Sequence, residues 1–393
     1  MNFILFDQNS LKENLLPLTY FRPIPAIRCG ILTLQEKWES FLNSPTSILS
    51  ETYLQEKFPV LYQTDNVYIN SAVFPSRELV RAIDTLLPGE ILSKGNFPIA
   101  IRSGKLNWEA VQNFAGKKKL YDGNLQTLTH LTDIFRLNGQ QIKQDFERLT
   151  YGKESRKLPE TAIIIGDYPV FLEEGAQVES AIFYTGDGPV YIGKNVKILA
   201  GSLIRGPFAA LEGSVVKMGA KIYGGTTLGP NTKAGGEIKD TVFFGNANKG
   251  HDGYLGDSVI GEWCNLGADT NNSNLKNNYS NVKLWHYPTG DFADTGLQFC
   301  GLIMGDHSKS GIATMFNTGT VVGVNSNVFG GDYQPKFFPS FKWGGQNYVD
   351  YRLDKAQQVA EAVMKRRQKD FDSIEQNLFK AVYNLIKEKE AGF

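Results

Sequence analysis

Between Ile192 and Ala234 the chain repeats itself every six residues: Ile192, Ile198, Ile204, Ala210, Val216, Ile222, Leu228 and Ala234 stand at successive sixes. Four positions after each of the first seven come Val196, Ser202, Phe208, Ser214, Ala220, Thr226 and Thr232, mostly small side chains. Six residues turn an α-helix by about 240°, which would scatter the aliphatic row over three faces, so no helix can bury it. In an extended chain, positions i and i+4 share a face and both can point inward. Gly193, Asn195, Gly201, Gly206, Gly224, Gly229 and Asn231 lie between them and supply corners. The pattern predicts a left-handed parallel β-helix of hexapeptide repeats, three short strands to a triangular coil.

The repeat returns at Tyr254, Ile260 and Leu266, and again at Met304, Ser310, Phe316, Val322 and Val328. From Ala234 to Tyr254 is twenty residues and from Leu266 to Met304 thirty-eight, each two more than a multiple of six. The frame therefore slips across the stretch holding His251 and across the gap holding Asn271-Asn272-Ser273-Asn274. Breaks in a regular solenoid are where loops, and with them sites, collect.

Glycine marks a boundary. Of 40 glycines, 29 fall in 161–335 and only eight in 1–160. The polar link 151–156 divides the two, which gives a first domain 1–155, a β-helix domain 156–335 and a C-terminal region 336–393. Before the link, Phe3 to Phe6 and Val67 to Ile69 have strand patterns, and Leu32 to Leu42, Ser76 to Leu87 and Gln140 to Leu149 have helical spacing, so the first domain is expected to be α/β. After the coils, the aromatic and proline-rich stretch 331–345 suits a cap over an open coil end. The glycine- and proline-free 352–389 reads as a helical tail, with Lys365-Arg366-Arg367 on a solvated face.

The 41 basic and 41 acidic residues cancel and no basic run stands out, which argues against nucleic acid as a partner. No segment holds the roughly 18 uninterrupted apolar residues of a membrane span. The start, Met1-Asn2-Phe3-Ile4-Leu5-Phe6-Asp7, fits a first strand better than a signal peptide. Cys29, Cys264 and Cys300 are few, odd in number and without metal spacing, as in a protein of the reducing cytoplasm.

The string Leu15-Leu16-Pro17-Leu18-Thr19-Tyr20-Phe21-Arg22-Pro23 resembles the stretch after the glycine-rich loop of sugar-1-phosphate nucleotidyltransferases. In that family, loop amides and a lysine after the proline hold nucleotide phosphates. Here no glycine precedes Gly30 and Ile24 stands where the lysine would be, leaving Arg22 and Arg28 as substitute cations. The resemblance implies nucleotidyl transfer from UTP or dTTP to a sugar 1-phosphate with Mg2+. Asp65 stands where a metal-holding aspartate would, and beside Asn66 it also reads as a turn residue.

The more specific signal is Glu237-Ile238-Lys239, then His251-Asp252-Gly253-Tyr254-Leu255-Gly256-Asp257, then Ile260 to Ala268, then Asn274. It resembles the acetyltransferase domain of the bifunctional N-acetylglucosamine-1-phosphate uridyltransferase / glucosamine-1-phosphate acetyltransferase family, where a His-x-x-Tyr-Leu-Gly-Asp block follows a glutamate by fourteen residues, as His251 follows Glu237 here. The Asn277 to Phe299 insertion is similar to the shortened variant of Bacteroidetes-type bacteria. Amine acetylation needs a base, and a neutral imidazole titrates in the right range, so His251 is the candidate, with Glu237 placed to set its tautomer. The resemblance implies that Asn274 holds the amine, that the amide of Leu275 faces the oxyanion, and that Lys239, Tyr254 and Asn265 contact a sugar phosphate. Lys221 replaces the family's arginine and loses its bidentate fork; Lys276 and Lys283 match a further lysine by position only. Acetyl-CoA is expected along the coil near Ala268, Gly311 and Gly330, in a homotrimer.

Each residue also has a plain structural use. His251 reads as a corner histidine, Asn265 and Asn274 as turn formers in an asparagine ladder, and the Tyr254 ring as filler of an aliphatic slot. His286 and His307 have no motif around them. Two further readings stand beside acyl transfer: nucleotidyl transfer as the main activity, and a non-catalytic sugar-nucleotide-binding subunit. A zinc carbonic anhydrase on the same coil needs a close histidine pair, whereas His251, His286 and His307 are 35 and 21 apart.

Overall fold

The computed structural model describes residues 1–390. They form two compact units, one of 1–27, 32–130 and 373–381, the other of 28–31, 131–372 and the residues from Val382 on. The boundary expected near residue 155 therefore lies earlier. The helix Leu131–Thr150 clusters with the coils, because Ile142 and Phe146 bury against Phe171, Tyr191, Ala209 and Leu211 on the outside of the solenoid. The C-terminal 336–393 is likewise no separate domain.

The first unit holds a six-stranded mixed sheet in the order Thr46–Leu49, Asn2–Phe6, Asn66–Asn70, Phe97–Ser103, Glu90–Lys94, Lys117–Leu120. The first three strands run parallel, and Phe97–Ser103 runs against its neighbours on both sides. Helix Leu34–Leu42 starts at a capping box between Thr33 and Glu36, which satisfies two orphan amides of its first turn. Where the resemblance places a glycine-rich loop, the chain instead forms the helix Asn9–Asn14.

The second unit is a parallel β-solenoid with three stacked strand faces. On the first face Leu203 pairs with Lys221, Lys221 with Glu237 and Glu237 with Tyr254. The second face carries Val190–Ile192, Phe208–Ala210 and Thr226–Leu228, and continues to Leu302–Met304 and Thr320–Val322. The third carries Val215–Val216, Lys233–Ala234, Asn248–Lys249 and Asn265–Leu266, and continues to Lys309–Ser310. The hexad residues Ile192 to Ala234 all lie in one buried core, as do Val196, Phe208 and Ala220.

Two expectations need correcting. Tyr254 does not fill an inward slot; Leu255 does, because the turns after Ala234 and Ile238 are shortened and move the inward row to Ile238, Phe243, Lys249, Leu255 and Ile260. The aromatic stretch 331–345 is not a cap but a further turn: Phe337–Phe338 extends the second face and Lys342–Gly344 the third. The tail is two helices, Leu353–Arg366 and Ser373–Lys389, and Glu390 accepts hydrogen bonds from the Ser340 amide and hydroxyl at 2.9 Å each. The insertion leaves the coil after the first-face strand Asn271–Asn272 and includes an antiparallel hairpin of Lys283–His286 with Asp291–Asp294, whose Trp285 stacks on Phe337 at 4.1 Å.

Candidate active site

Because Ile238 and Leu255 point inward, their neighbours Glu237, Lys239 and Tyr254 project from the first face. Lys221, Glu237 and Tyr254 form one column across successive turns; Lys239 and Gly256 lie in a second column two residues along the same face. The next turn pins this strand through side chains: the Tyr254 amide donates to Asn271 Oδ1 at 2.7 Å and the Gly256 amide to Asn272 Oδ1 at 2.9 Å.

At the far edge of this face Asn274 Nδ2 donates to the Tyr254 hydroxyl oxygen at 2.8 Å and to Asp257 Oδ2 at 2.6 Å. Burial raises the Asp257 carboxyl above the usual carboxylate range, against the Asn274 hydrogen bond. Burial, and then the Asp257 charge, push the Tyr254 hydroxyl up to about 12. Tyr254 is thus a neutral phenol at physiological pH, and since Asn274 donates to it, its own proton can be donated elsewhere. Asn274 Oδ1 has no protein partner among the described residues and suits an N–H donor. Asp257 lies inside the block that carries the resemblance, and nothing in the sequence alone gives it a role. Its left-handed φ of 48°, beside 41° at Asp240 one turn earlier, marks a corner that hydropathy does not show.

His251 sits at the opposite edge, on the corner that joins the third face to the first. It is exposed, and among the described residues its ring has no hydrogen-bond or ion-pair partner, so no bond joins it to Glu237. Its backbone carbonyl accepts from Lys249 Nζ at 2.9 Å, and the same amine donates to the Gly235 carbonyl at 3.1 Å. Lys249 occupies an inward slot and is 1% exposed. Burial pushes its amine down to about 8, opposed by the charges of Asp252 and Asp269. Ala268, Gly311 and Gly330 recur on this same corner in later turns: the Ala313 amide donates to the Ala268 carbonyl at 2.8 Å, and Gly311 N–H to Val328 O at 2.8 Å. Gly253 has a φ of 117°, and a Cβ there would run into the Thr270 carbonyl oxygen. Gly253→Ala is expected to cost about 1–3 kcal/mol in urea unfolding and to displace both His251 and Tyr254; an unchanged unfolding midpoint would show that the corner has room.

Asn265 is on the third face, accepts from Asn248 Nδ2 at 2.6 Å and stands in register with Lys309. One coil cannot turn that face toward Tyr254. His286 bonds Thr289 at 3.0 Å, and His307 is buried and stacked on Trp263 at 6.2 Å, consistent with structural uses. Leu275 bridges to Phe299.

In the first unit, Arg22 is 5% exposed. Asp7 is fully buried and accepts from Ser50, Ser71 and the Ile24 amide at 2.7, 2.8 and 3.0 Å, while Lys12 pairs with Glu51 and reaches the Tyr53 hydroxyl at 3.0 Å. Asp65 is held in a two-pronged pair with Arg102 at 3.0 and 2.8 Å, which keeps its carboxyl below the usual range and commits its oxygens to a cation other than a metal. Among the described residues no group of three His, Cys, Asp or Glu side chains could hold a metal ion.

Residues 3–154 match the family model described as sugar nucleotidyl transferase. The bifunctional protein GlmU of Wigglesworthia glossinidia brevipalpis is 26% identical over 219 residues, which is 50% of this chain and 45% of that relative. GlmU of Methanocaldococcus jannaschii is 36% identical over 102 residues, 25% of this chain and 24% of the relative. The chain is thus similar to GlmU proteins over up to half of its length and to sugar nucleotidyl transferases over residues 3–154. It aligns with half or less of the length of those GlmU relatives. The uncharacterised acetyltransferase YaiX of Escherichia coli is 28% identical over 159 residues, 40% of this chain and 68% of YaiX. Among solved structures, the Francisella novicida UDP-N-acetylglucosamine acyltransferase matches 60% of the chain and 86% of its own, with 12% identity and a TM-score of 0.31. The solenoid itself is established by the strand register above.

Proposed function

We propose that the solenoid unit transfers an acetyl group from acetyl-CoA to the amine of a hexosamine phosphate, a glucosamine 1-phosphate-like acceptor. The observation that carries this is the Asn274–Tyr254–Asp257 cluster at one edge of a face whose other edge bears His251 and the recurring corner of Ala268, Gly311 and Gly330. The acceptor amine donates to Asn274 Oδ1 while Lys221 and Lys239 answer its phosphate. One coil sets His251 across the face from Asn274, so in a shared site the His251 of a second copy of the chain takes the amine proton; the nitrogen attacks the thioester carbonyl, and the oxyanion is met by the Leu275 amide. As the C–S bond breaks, the thiolate leaves and is protonated, giving amide and free thiol. Glu237 stands one turn below Tyr254 in the same column. Asn265, on another face, joins such a site only from a second copy of the chain, which supports a homotrimer with shared sites.

The test is thiol release from acetyl-CoA with and without glucosamine 1-phosphate. Acceptor-dependent release is expected; release that ignores the acceptor would remove this reading. A second reading, nucleotidyl transfer to a sugar 1-phosphate with Mg2+, is supported by the family match over 3–154. Against it, the Asn9–Asn14 helix and the buried Lys12–Glu51 pair take the place of a phosphate-cradling loop. Pyrophosphate release from UTP or dTTP decides it.

A further inference from the structure

Within the solenoid unit, a cleft of about 550 Å³ runs between the Leu131–Thr150 helix and the corner joining the first and second faces. This is the size of a pocket that buries a ligand of several rings. A second cleft of about 340 Å³ shares Arg136 and Asp240 with it and ends at Asp257 and Phe299. The two make one groove whose near end is the Asp257 carboxylate that Asn274 contacts.

Four cations line the groove beyond its near end. Arg136 and Lys143, seven residues apart, stand about 10 Å apart along the helix, and Arg205 and Lys239 project from the coil opposite. Besides Asp257 at the near end, two further carboxylates line it. Asp187 pairs with Arg205 at 2.5 Å, and Asp240, whose carboxyl burial raises, lies 3.5 Å from Lys239. Arg136 has Asp133 at 3.8 Å, and Lys143 has no carboxylate within ion-pair distance among the described residues. The floor is backbone at Gly206, Gly224 and Gly225, so a ligand can lie close. Tyr223 lines the groove and is 39% exposed, and the Arg205 guanidinium lies 4.5 Å over the Tyr184 ring, so flat surfaces are at hand for a base.

Distance decides the ligand class. Arg205, Tyr223, Lys239 and Gly256 follow one another on successive turns. At about 4.8 Å per turn, Arg205 is about 14 Å from the Gly256–Asp257 edge where the amine is held. A phosphate on the amino sugar itself reaches Lys239, one turn away, and a monosaccharide phosphate is too short to use Arg205 or Lys143. We infer that the groove takes the second phosphate and the nucleoside of the acyl acceptor, which is therefore a nucleoside diphosphate amino sugar. This rests on the acyl-transfer reading above and leaves its bond changes as they were: N–C forms, C–S breaks, and the amine proton ends on the thiol.

The test compares UDP-glucosamine with glucosamine 1-phosphate as acceptor in the thiol-release assay, using the full-length wild type, Lys143→Glu and Lys143→Gln, together with calorimetric titration of each protein with UDP. The expected result is a kcat/KM at least about tenfold higher for UDP-glucosamine. Lys143→Glu should raise the KM for UDP-glucosamine and weaken UDP binding about tenfold, with kcat within about twofold. Lys143→Gln keeps most of the stem and should show a smaller loss in the same direction, which separates lost charge from a damaged fold. A glucosamine 1-phosphate acceptor that is equal or better, or UDP binding that is absent or the same in all three proteins, overturns the inference. If neither acceptor yields thiol, the acyl-transfer reading fails by itself, and the UDP titration still decides the groove.

Discussion

His251→Ala is expected to slow acetyl transfer by about 10²–10⁴-fold, the usual worth of a positioned general base. The imidazole is exposed and makes no side-chain bond among the described residues, so its removal should change unfolding stability by no more than about 0.5 kcal/mol. A large rate loss at unchanged stability therefore points to chemistry. The KM for acetyl-CoA should hardly move, because the corner at Ala268 and Gly311 is fixed by backbone hydrogen bonds that do not involve the ring. The measurement is steady-state thiol release for both proteins across pH 5.5–8.5. Equal rates in the two proteins would remove His251 as the base and leave Tyr254 and Asn274 as binding groups only.

The coil was legible because every inward slot on a tightly stacked solenoid has room for one aliphatic side chain, which stamps period six on the sequence. What hydropathy could not show is where the count resets. Two shortened turns, after Ala234 and after Ile238, restart the inward row at Ile238 and Phe243, and Tyr254 is apolar enough to pass for a member of the old frame. The reset is what turns the Tyr254 ring outward and brings its hydroxyl to Asn274. The helical stretch Gln140 to Leu149 falls on the glycine-poor side of the polar link, but in the longer helix Leu131–Thr150 the apolar face, Ile142 and Phe146, matches the aromatic outer residues Phe171 and Tyr191 of the coil. Burying each of those rings stabilises the pairing by about 2 kcal/mol. The groove between that helix and the corner glycines is a product of this packing, so none of Arg136, Lys143 or Arg205 stood out as a site from the sequence. The Glu237 to Asn274 block was legible because its spacing is a spacing along the chain. Asp257 escaped because its role depends on Asn274 returning to it across a turn.

Lys249 could not have been placed inward by any rule of composition, since lysine is almost never fully buried without a partner. Its partners are the Gly235 and His251 carbonyls, both at corners beside the proposed base. Holding an ammonium there has a cost that pH should reveal. The folded protein releases the Lys249 proton near pH 8, whereas the unfolded chain keeps it to about 10.5. Between those values the unfolded state binds more protons, so stability contributed at this site rises with pH; below pH 8 both states are protonated and the penalty is complete. Compared with Lys249→Met, the wild type should therefore gain about 1.4 kcal/mol for each pH unit above 8, or about 2 kcal/mol between pH 7 and 9.5. Lys309, also pushed down to about 8 by burial, is common to both proteins and cancels in the difference. Urea unfolding of both at the two pH values gives the number, and a difference that stays constant would mean that the amine is solvated in the native state. The same variant bears on function: without the Nζ bond to its carbonyl, the His251 corner is free to shift, so acetyl transfer should fall even at pH 7, where the methionine relieves the charge penalty.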